Sequence, residues 1–277
     1  MAEGELRIDS ERLHRRIAEL AAIGAIDGGG CCRLALTDAD RDGRDLAVRW
    51  MREAGLEIVV DRIGNIVAQR PGRSDGPPVM TGSHLDTVAT GGRFDGPLGV
   101  LAGLEVVETL NEAGIDTLHP IAVAVFTNEE GVRFAPDMMG SLGFAGLMDA
   151  EEILAVVETR AGTAGDTVGS SLERIGYAGD APVGSQAPRA FVGLHVEQGP
   201  VLEEEGFDIG VVERVQGISW QELVITGVAN HAGTTPLRLR RDAGYAAAAI
   251  ATEVRASPAA WEVIRSGPSA RSSCHRT

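Results

Sequence analysis

Lysine is absent from this chain of 277 residues, and all 25 basic residues are arginine. Without lysine there is no Walker-type phosphate loop, no pyridoxal Schiff base and no lysine general base. Cysteine is scarce too: Cys31 and Cys32 are adjacent and Cys274 stands alone. That spacing supports neither a disulfide framework nor a thiolate zinc site, so a reducing compartment is expected. The G-x-S-x-G match at Gly72 to Gly76 lies in the turn-rich Arg70 to Pro78 connection and not at a strand-to-helix elbow, and no G-x-G-x-x-G follows a strand-like run, which argues against a serine α/β-hydrolase and a dinucleotide-binding fold. The amino end lacks an apolar signal-peptide core, and no run approaches 18 continuous apolar residues, so a soluble, cytoplasmic protein is expected. A formal net charge of -15 opposes binding to nucleic acid or to an anionic membrane.

What is present is a set of five polar clusters: His84-Leu85-Asp86, Asp95-Gly96, Glu129-Glu130, His195-Val196-Glu197 and Asn230-His231. Three follow short apolar runs that read as strands: Val79 to Ser83 before His84, Ile121 to Phe126 before Glu129, and Phe191 to Leu194 before His195. In open α/β sheets, sites form beyond the carboxyl ends of the strands, so these residues are expected to converge. Asp95 precedes Gly96, Pro97 and a predicted helix from Leu98 to Leu110, which puts its carboxylate at a helix start. Two imidazoles with two or three carboxylates and no thiolate suit Zn²⁺, Mn²⁺ or Co²⁺. Of the adjacent acids, one can bind metal while the other takes a proton from an activated water. Asp86 is placed to orient the His84 imidazole. Taken singly, each motif also has a bland reading as a helix cap or a solvated face; their conjunction at the ends of separate apolar runs favours a site. The H-x-E at His195 could belong to a nucleobase deaminase, but the P-C-x-x-C partner is missing.

The fold class expected is α/β, a mixed central sheet flanked by helices, followed by the first part of a smaller α+β domain. Helices are predicted over Ser10 to Ile23 with Ser10 as N-cap, Asp38 to Ala54, Met138 to Leu147, a short stretch near Ser171 to Ile175, and Leu239 to about Val254. Gly24 to Cys32 reads as a loop, and Leu56 to Val60 and Asn65 to Gln69 as strands. Further strands are predicted at Ile209 to Val215 and Ser219 to Thr226. The expected division is a catalytic domain over 1–210, a partial dimerisation domain over 211–255 and an irregular tail over 256–277.

Four stretches, GSHLDTVATGGRFDGPLGVLAGLEVVETL, FTNEEGVRF, GLHVEQGPVLE and NHAGTTPLRLRRD, closely resemble the hydantoinase/carbamoylase family of metal-dependent amidases, relatives of dinuclear aminopeptidases and aminoacylases. The resemblance runs from about residue 10 to 255. It implies two divalent ions (Zn, Mn or Co), with His84, Asp95 and His195 on one, and Asp95 bridging to a second also held by Glu130. It makes Glu129 the general base, Gln198 a substrate contact, and His231 a residue that enters a neighbouring subunit's site to steady an oxyanion, hence a homodimer. From its own surroundings His231 reads equally as a turn histidine. Family members continue beyond this length and supply a last histidine to the second metal position. The tail from Ala256 does not resemble them and has the composition of an out-of-frame reading; His275 within it is not expected to replace that ligand. The implied reaction is hydrolysis of an N-carbamoyl-L-amino acid, with allantoate or a β-ureido acid as alternative substrates. A metal-binding fragment without catalysis, or an interaction remnant, stays open.

Overall fold

The computed structural model describes residues 6–159, 165–215 and 223–256. They form two compact units, one running to Gln198 and one starting at Gly199. In the first unit the helices are α1 (Ser10–Ala22), α2 (Asp38–Glu53), α3 (Pro97–Glu112), α4 (Met139–Phe144), α5 (Ala150–Ala155) and α6 (Val168–Ile175). Its strands are β1 (Ala25–Ile26), β2 (Gly30–Cys31), β3 (Glu57–Val60), β4 (Ile66–Arg70), β5 (Val79–His84), β6 (Ile121–Phe126) and β7 (Ala190–Phe191). Five of them make a mixed sheet in the order β3-β4-β6-β5-β7, with β1 and β2 forming a separate small hairpin inside the glycine-rich segment read as a loop.

Side-chain alternation explains why β6 sits at the centre. Val123 and Val125 turn to the main core with Leu101, Leu104 and Val107 of α3, while Ala122 and Ala124 turn to a smaller cluster with Val67 and Met80, bordered by Phe126 and Phe144. Both faces are covered, so the strand reads as a continuous apolar run. The β5–β6 pair is parallel, joined by α3 as its crossover, and its register sets His84 opposite Phe126. Close approach of the two strands depends on Gly82: its φ is +148°, and a Cβ there would lie 2.1 Å from the Ala124 carbonyl oxygen.

Capping fixes several helix starts. Asp9, not Ser10, caps α1 by accepting from the Arg12 N–H, and Thr37 caps α2 through the Asp40 N–H. Helix α4 is shorter than the predicted Met138 to Leu147, because Met138 enters it with a left-handed backbone and Ala145 ends it. The strand predicted over Phe191 to Leu194 is cut to Ala190–Phe191; Val192 still donates to the Met80 carbonyl, but Val192 and Leu194 are exposed.

The second unit holds α7 (Val201–Glu205), a 3₁₀ turn over Leu237–Leu239 and α8 (Ala243–Ala256). Helix α8 starts later than Leu239 because the Asp242 side chain accepts from the Tyr245 N–H, a capping bond that sets the first turn. Ile209 to Val215 forms no strand, and neither does Leu223 to Thr226: Ile209, Val211, Val212, Val215 and Val224 are exposed, without a ladder partner among the described residues. The rest of that second predicted strand, and the tail after Ala256, lie outside the described residues. No helix among the described residues is long and apolar enough to cross a membrane.

A buried ion pair ties α2 to the sheet. Arg44 donates from Nε to Asp40 Oδ2 (2.9 Å), from Nη1 to the Gly64 carbonyl (2.8 Å) and from Nη2 to Thr127 Oγ1 (3.3 Å), with both charged side chains fully buried. Arg44→Met leaves the Asp40 charge uncompensated in the core and is expected to cost about 3–5 kcal/mol, read as a lowered urea midpoint.

Candidate metal centre

Three strands of the sheet deliver four of the predicted residues to one place. His84 is the last residue of β5, Glu129 and Glu130 follow β6 by three and four residues, and His195 comes four residues after β7, all three strands being parallel. Asp95 joins them from the turn before α3. That turn needs Gly96: its φ is +79°, and a Cβ there would sit 2.6 Å from the His84 ring. The ligand atoms of His84, Asp95 and His195 lie within 4.8 Å of one another, and so do those of His84, Glu129 and Glu130.

Hydrogen bonds decide which ring nitrogens face the cluster. His84 Nδ1 lies 2.8 Å from the Asp86 carbonyl oxygen, and His195 Nδ1 lies 2.6 Å from that of Val196. A carbonyl can only accept, so each Nδ1 carries the proton and each Nε2 of a neutral ring is a bare lone pair. Those lone pairs point at acceptors: His195 Nε2 is 3.2 Å from Asp95 Oδ1, and His84 Nε2 is 3.3 Å from Glu129 Oε2 and 3.9 Å from Asp95 Oδ1. Acceptors facing acceptors at these distances need a positive charge among them, a proton or a cation. The donor set, two imidazoles and three carboxylates without a thiolate, fits a divalent cation of borderline or hard character.

Asp86 acts differently from the expectation that its carboxylate orients His84. Its Oδ1 is 3.8 Å from His84 Nδ1, too far for a hydrogen bond, and the ring is held by the Asp86 backbone carbonyl instead. The carboxylate accepts from the backbone N–H groups of Glu129 (3.3 Å) and Glu130 (3.2 Å). Burial pushes the Asp86 carboxyl above its usual range despite the nearby His84 and the Glu130 N–H. For His84, burial alone would lower the imidazole, but Asp86, Glu129 and Glu130 outweigh it and the net direction is up. Glu130 is pushed up to about 7, first by burial and then by the charges of Asp95, Glu129 and Asp86, against the pull of His84.

Supporting residues that the sequence did not single out stand behind the centre. Arg33, 1% exposed, donates to the carbonyls of Leu85 (2.7 Å), Leu20 (3.0 Å) and Ile23 (2.9 Å). Its backbone N–H donates to Thr87 Oγ1, and its carbonyl accepts from the Thr87 N–H, so the segment after His84 is clamped on both sides. Asn65 accepts from the Thr127 N–H and donates to Asp61 and the Gly140 carbonyl, fixing the chain before Glu129. An arginine bordering the apolar Leu34-Ala35-Leu36 run was the one available signal.

Gln198 belongs to the first unit and donates to Asp95 Oδ2. His231 lies in the second unit, exposed, its Nδ1 accepting from the N–H groups of Gly233 and Thr234. In the neutral ring that leaves an N–H at Nε2 as a donor to the outside.

Comparisons with known proteins place the chain in a family. Residues 80–273 match the model of peptidase family M20/M25/M40. The chain is similar to N-carbamoyl-L-amino-acid amidohydrolases of Rhizobium meliloti, at 48% identity over 88% of this chain and 58% of that protein, and of Geobacillus stearothermophilus, at 44% over 88% and 59%. Its fold is similar to the crystal structure of a hydantoinase/carbamoylase family amidase from Burkholderia ambifaria, with a TM-score of 0.77 and 45% identity over 92% of this chain and 62% of that one. The chain thus spans about 58% of the length of the first of these relatives.

Glu130 and His84 give the cation-free centre a definite pH dependence. A carboxyl raised from 4.5 to about 7 contributes stability that is fully present below pH 4.5 and lost as the pH rises through 7. A raised His84 has the same sign, present below its usual 6.5 and lost above its folded value. In the presence of a chelator, urea unfolding is expected to show lower stability at pH 8 than at pH 5, with a contribution from the half-exposed Glu130 on the order of 1 kcal/mol after solvent screening. Glu130→Gln is expected to flatten that slope.

Proposed function

Because the chain belongs to peptidase family M20/M25/M40, we propose that its centre holds divalent cations and hydrolyses the C–N bond of an N-carbamoyl-L-amino acid. The observation that carries the cation is the pair of bare Nε2 atoms facing the Asp95 and Glu129 oxygens. The names of the relatives reported above support the substrate class. His84, Asp95 and His195 would hold one ion, and Glu130 with a share of Asp95 a second. When bound, such ions supply positive charge that polarises a carbonyl and lowers the pKa of water.

The chain's own residues divide the remaining work. Glu129, 35% exposed, is the general base. It takes a proton from the attacking water as the oxygen bonds to the ureido carbon, and returns it to the nitrogen as the C–N bond breaks, so the amino acid leaves with a neutral amine. Asp86 holds the Glu129 and Glu130 backbone in place, and Gln198 serves the ureido group. In this reading residues 1–210 are the catalytic domain and 211–255 begin a dimerisation domain. His231 of a neighbouring subunit would then direct its Nε2 donor at the developing oxyanion.

Ammonia release with Mn²⁺ or Co²⁺ tests the proposal. The expected outcome is faster turnover of N-carbamoyl-L-amino acids than of their D forms, of allantoate or of a β-ureido acid, with Glu129→Gln slower by roughly 10²-fold or more. Preferential turnover of allantoate would move the substrate class; uptake of metal without any turnover would favour a binding role.

A further inference from the structure

Asp86 holds the backbone N–H groups of Glu129 and Glu130 from the side of β5. On the other side of the acid pair stands Asn128, fully buried, with a φ of +53°. Asparagine is one of the few residues with a side chain that enters this left-handed region readily. Placed directly before Glu129, it turns the chain out of the line of β6. Three backbone bonds close the loop that follows: the Met138 N–H donates to the Glu129 carbonyl (2.7 Å), that of Met139 to Asn128 (3.3 Å) and that of Gly140 to Thr127 (2.8 Å). The Asn128 amide crosses the inside of the same loop, where Nδ2 donates to the carbonyls of Phe134 (2.8 Å) and Pro136 (3.3 Å).

Only the donor half of this amide is used. Its Oδ1 is buried and has no hydrogen-bond partner among the described residues. A buried acceptor without a partner is unfavourable, so the side chain carries a cost that its N–H groups must outweigh. Glycine would supply the backbone turn without the orphaned oxygen, and aspartate the shape without the donors. Asparagine supplies both the turn and the donors. What these hold is the root of two like-charged side chains, whose oxygens lie with His84 Nε2 in one candidate ligand group.

We propose that Asn128 is a positioning residue of the cation centre, its amide keeping the Glu129 and Glu130 carboxylates turned toward His84. This rests on the cation-binding reading above and deepens it: the grip of the acid pair depends on a neutral side chain outside both ligand groups. Without the amide the loop is tied only at its base, and an arriving cation must gather the acids itself. Asp95 and His195 reach the centre on other segments of chain. Losing the amide is therefore expected to act on what Glu130 contributes to binding and not on what His195 contributes.

Two double-mutant cycles test this, with Mn²⁺ bound to the chelator-stripped chain and free Mn²⁺ counted by its EPR signal. Asn128→Gly keeps the left-handed turn without the amide. Asn128→Asp keeps the shape and sets an oxygen against the two carbonyls. Affinity is read on the ion that Glu130→Gln, or in the second cycle His195→Ala, weakens. In either Asn128 background Glu130→Gln is expected to weaken binding by at least about threefold less than it does in wild type, as for residues that share one network. His195→Ala is expected to combine with the Asn128 changes additively, to within about twofold. Urea unfolding identifies the folded variants, and one folded Asn128 variant is enough for both cycles. A Glu130→Gln effect that is the same with and without the amide overturns the proposal and leaves the cation reading standing. So does equal coupling to His195, which would mean a general loosening, or failure of both Asn128 variants to fold, which would make the residue one of the fold alone. No Mn²⁺ uptake by the wild type overturns the cation reading, and the proposal with it.

Discussion

Asp86, 1% exposed, turns its two carboxylate oxygens to the backbone N–H groups of Glu129 and Glu130, so a side chain on the loop after β5 fixes the loop after β6. Parallel pairing of these strands makes this possible. With His84 opposite Phe126, the residue two past the end of one strand meets residues three and four past the end of the other. Hydrogen bonds to a charged group are worth about 1.5–3 kcal/mol each when buried, and here at 3.2 and 3.3 Å they are at the longer end. Two together still hold an acid pair that its own repulsion would otherwise spread. The His84 imidazole hangs from the same residue through its carbonyl. One residue thus sets the distance between imidazole and acids.

So much negative charge at a sheet end requires buried positive charge behind it. Arg44 lies against Asp40, its guanidinium 5.4 Å from the Tyr177 ring centre, and Arg33 is ringed by carbonyl oxygens. Both are guanidinium groups, which stay charged at any pH the fold survives, whereas a buried lysine would be free to lose its proton. The all-arginine composition therefore gives the interior behind the centre a fixed electrostatic background.

How far the site could be read in the sequence follows from what carries a side-chain letter. His84, Glu129 and Glu130 were legible because β5 and β6 are apolar runs of six residues with polar ends. His195 lies beside His84 and Asp95 although its strand was read too long; only two residues pair before the chain turns outward. The Asp86 link was hidden because its partners are backbone N–H groups, which every residue has. Gln198 was named only through the family resemblance, and its bond to Asp95 was hidden because it spans 103 positions. In the second unit alternating apolar residues suggested strands at Ile209 and Leu223, but a strand exists only with a neighbour, and period alone cannot supply one.

The side chains of the two-histidine position differ sharply in exposure: His84 2%, Asp95 22% and His195 51%. An ion held there would be open to solvent and to chelators on the His195 side and shut off from them on the His84 side.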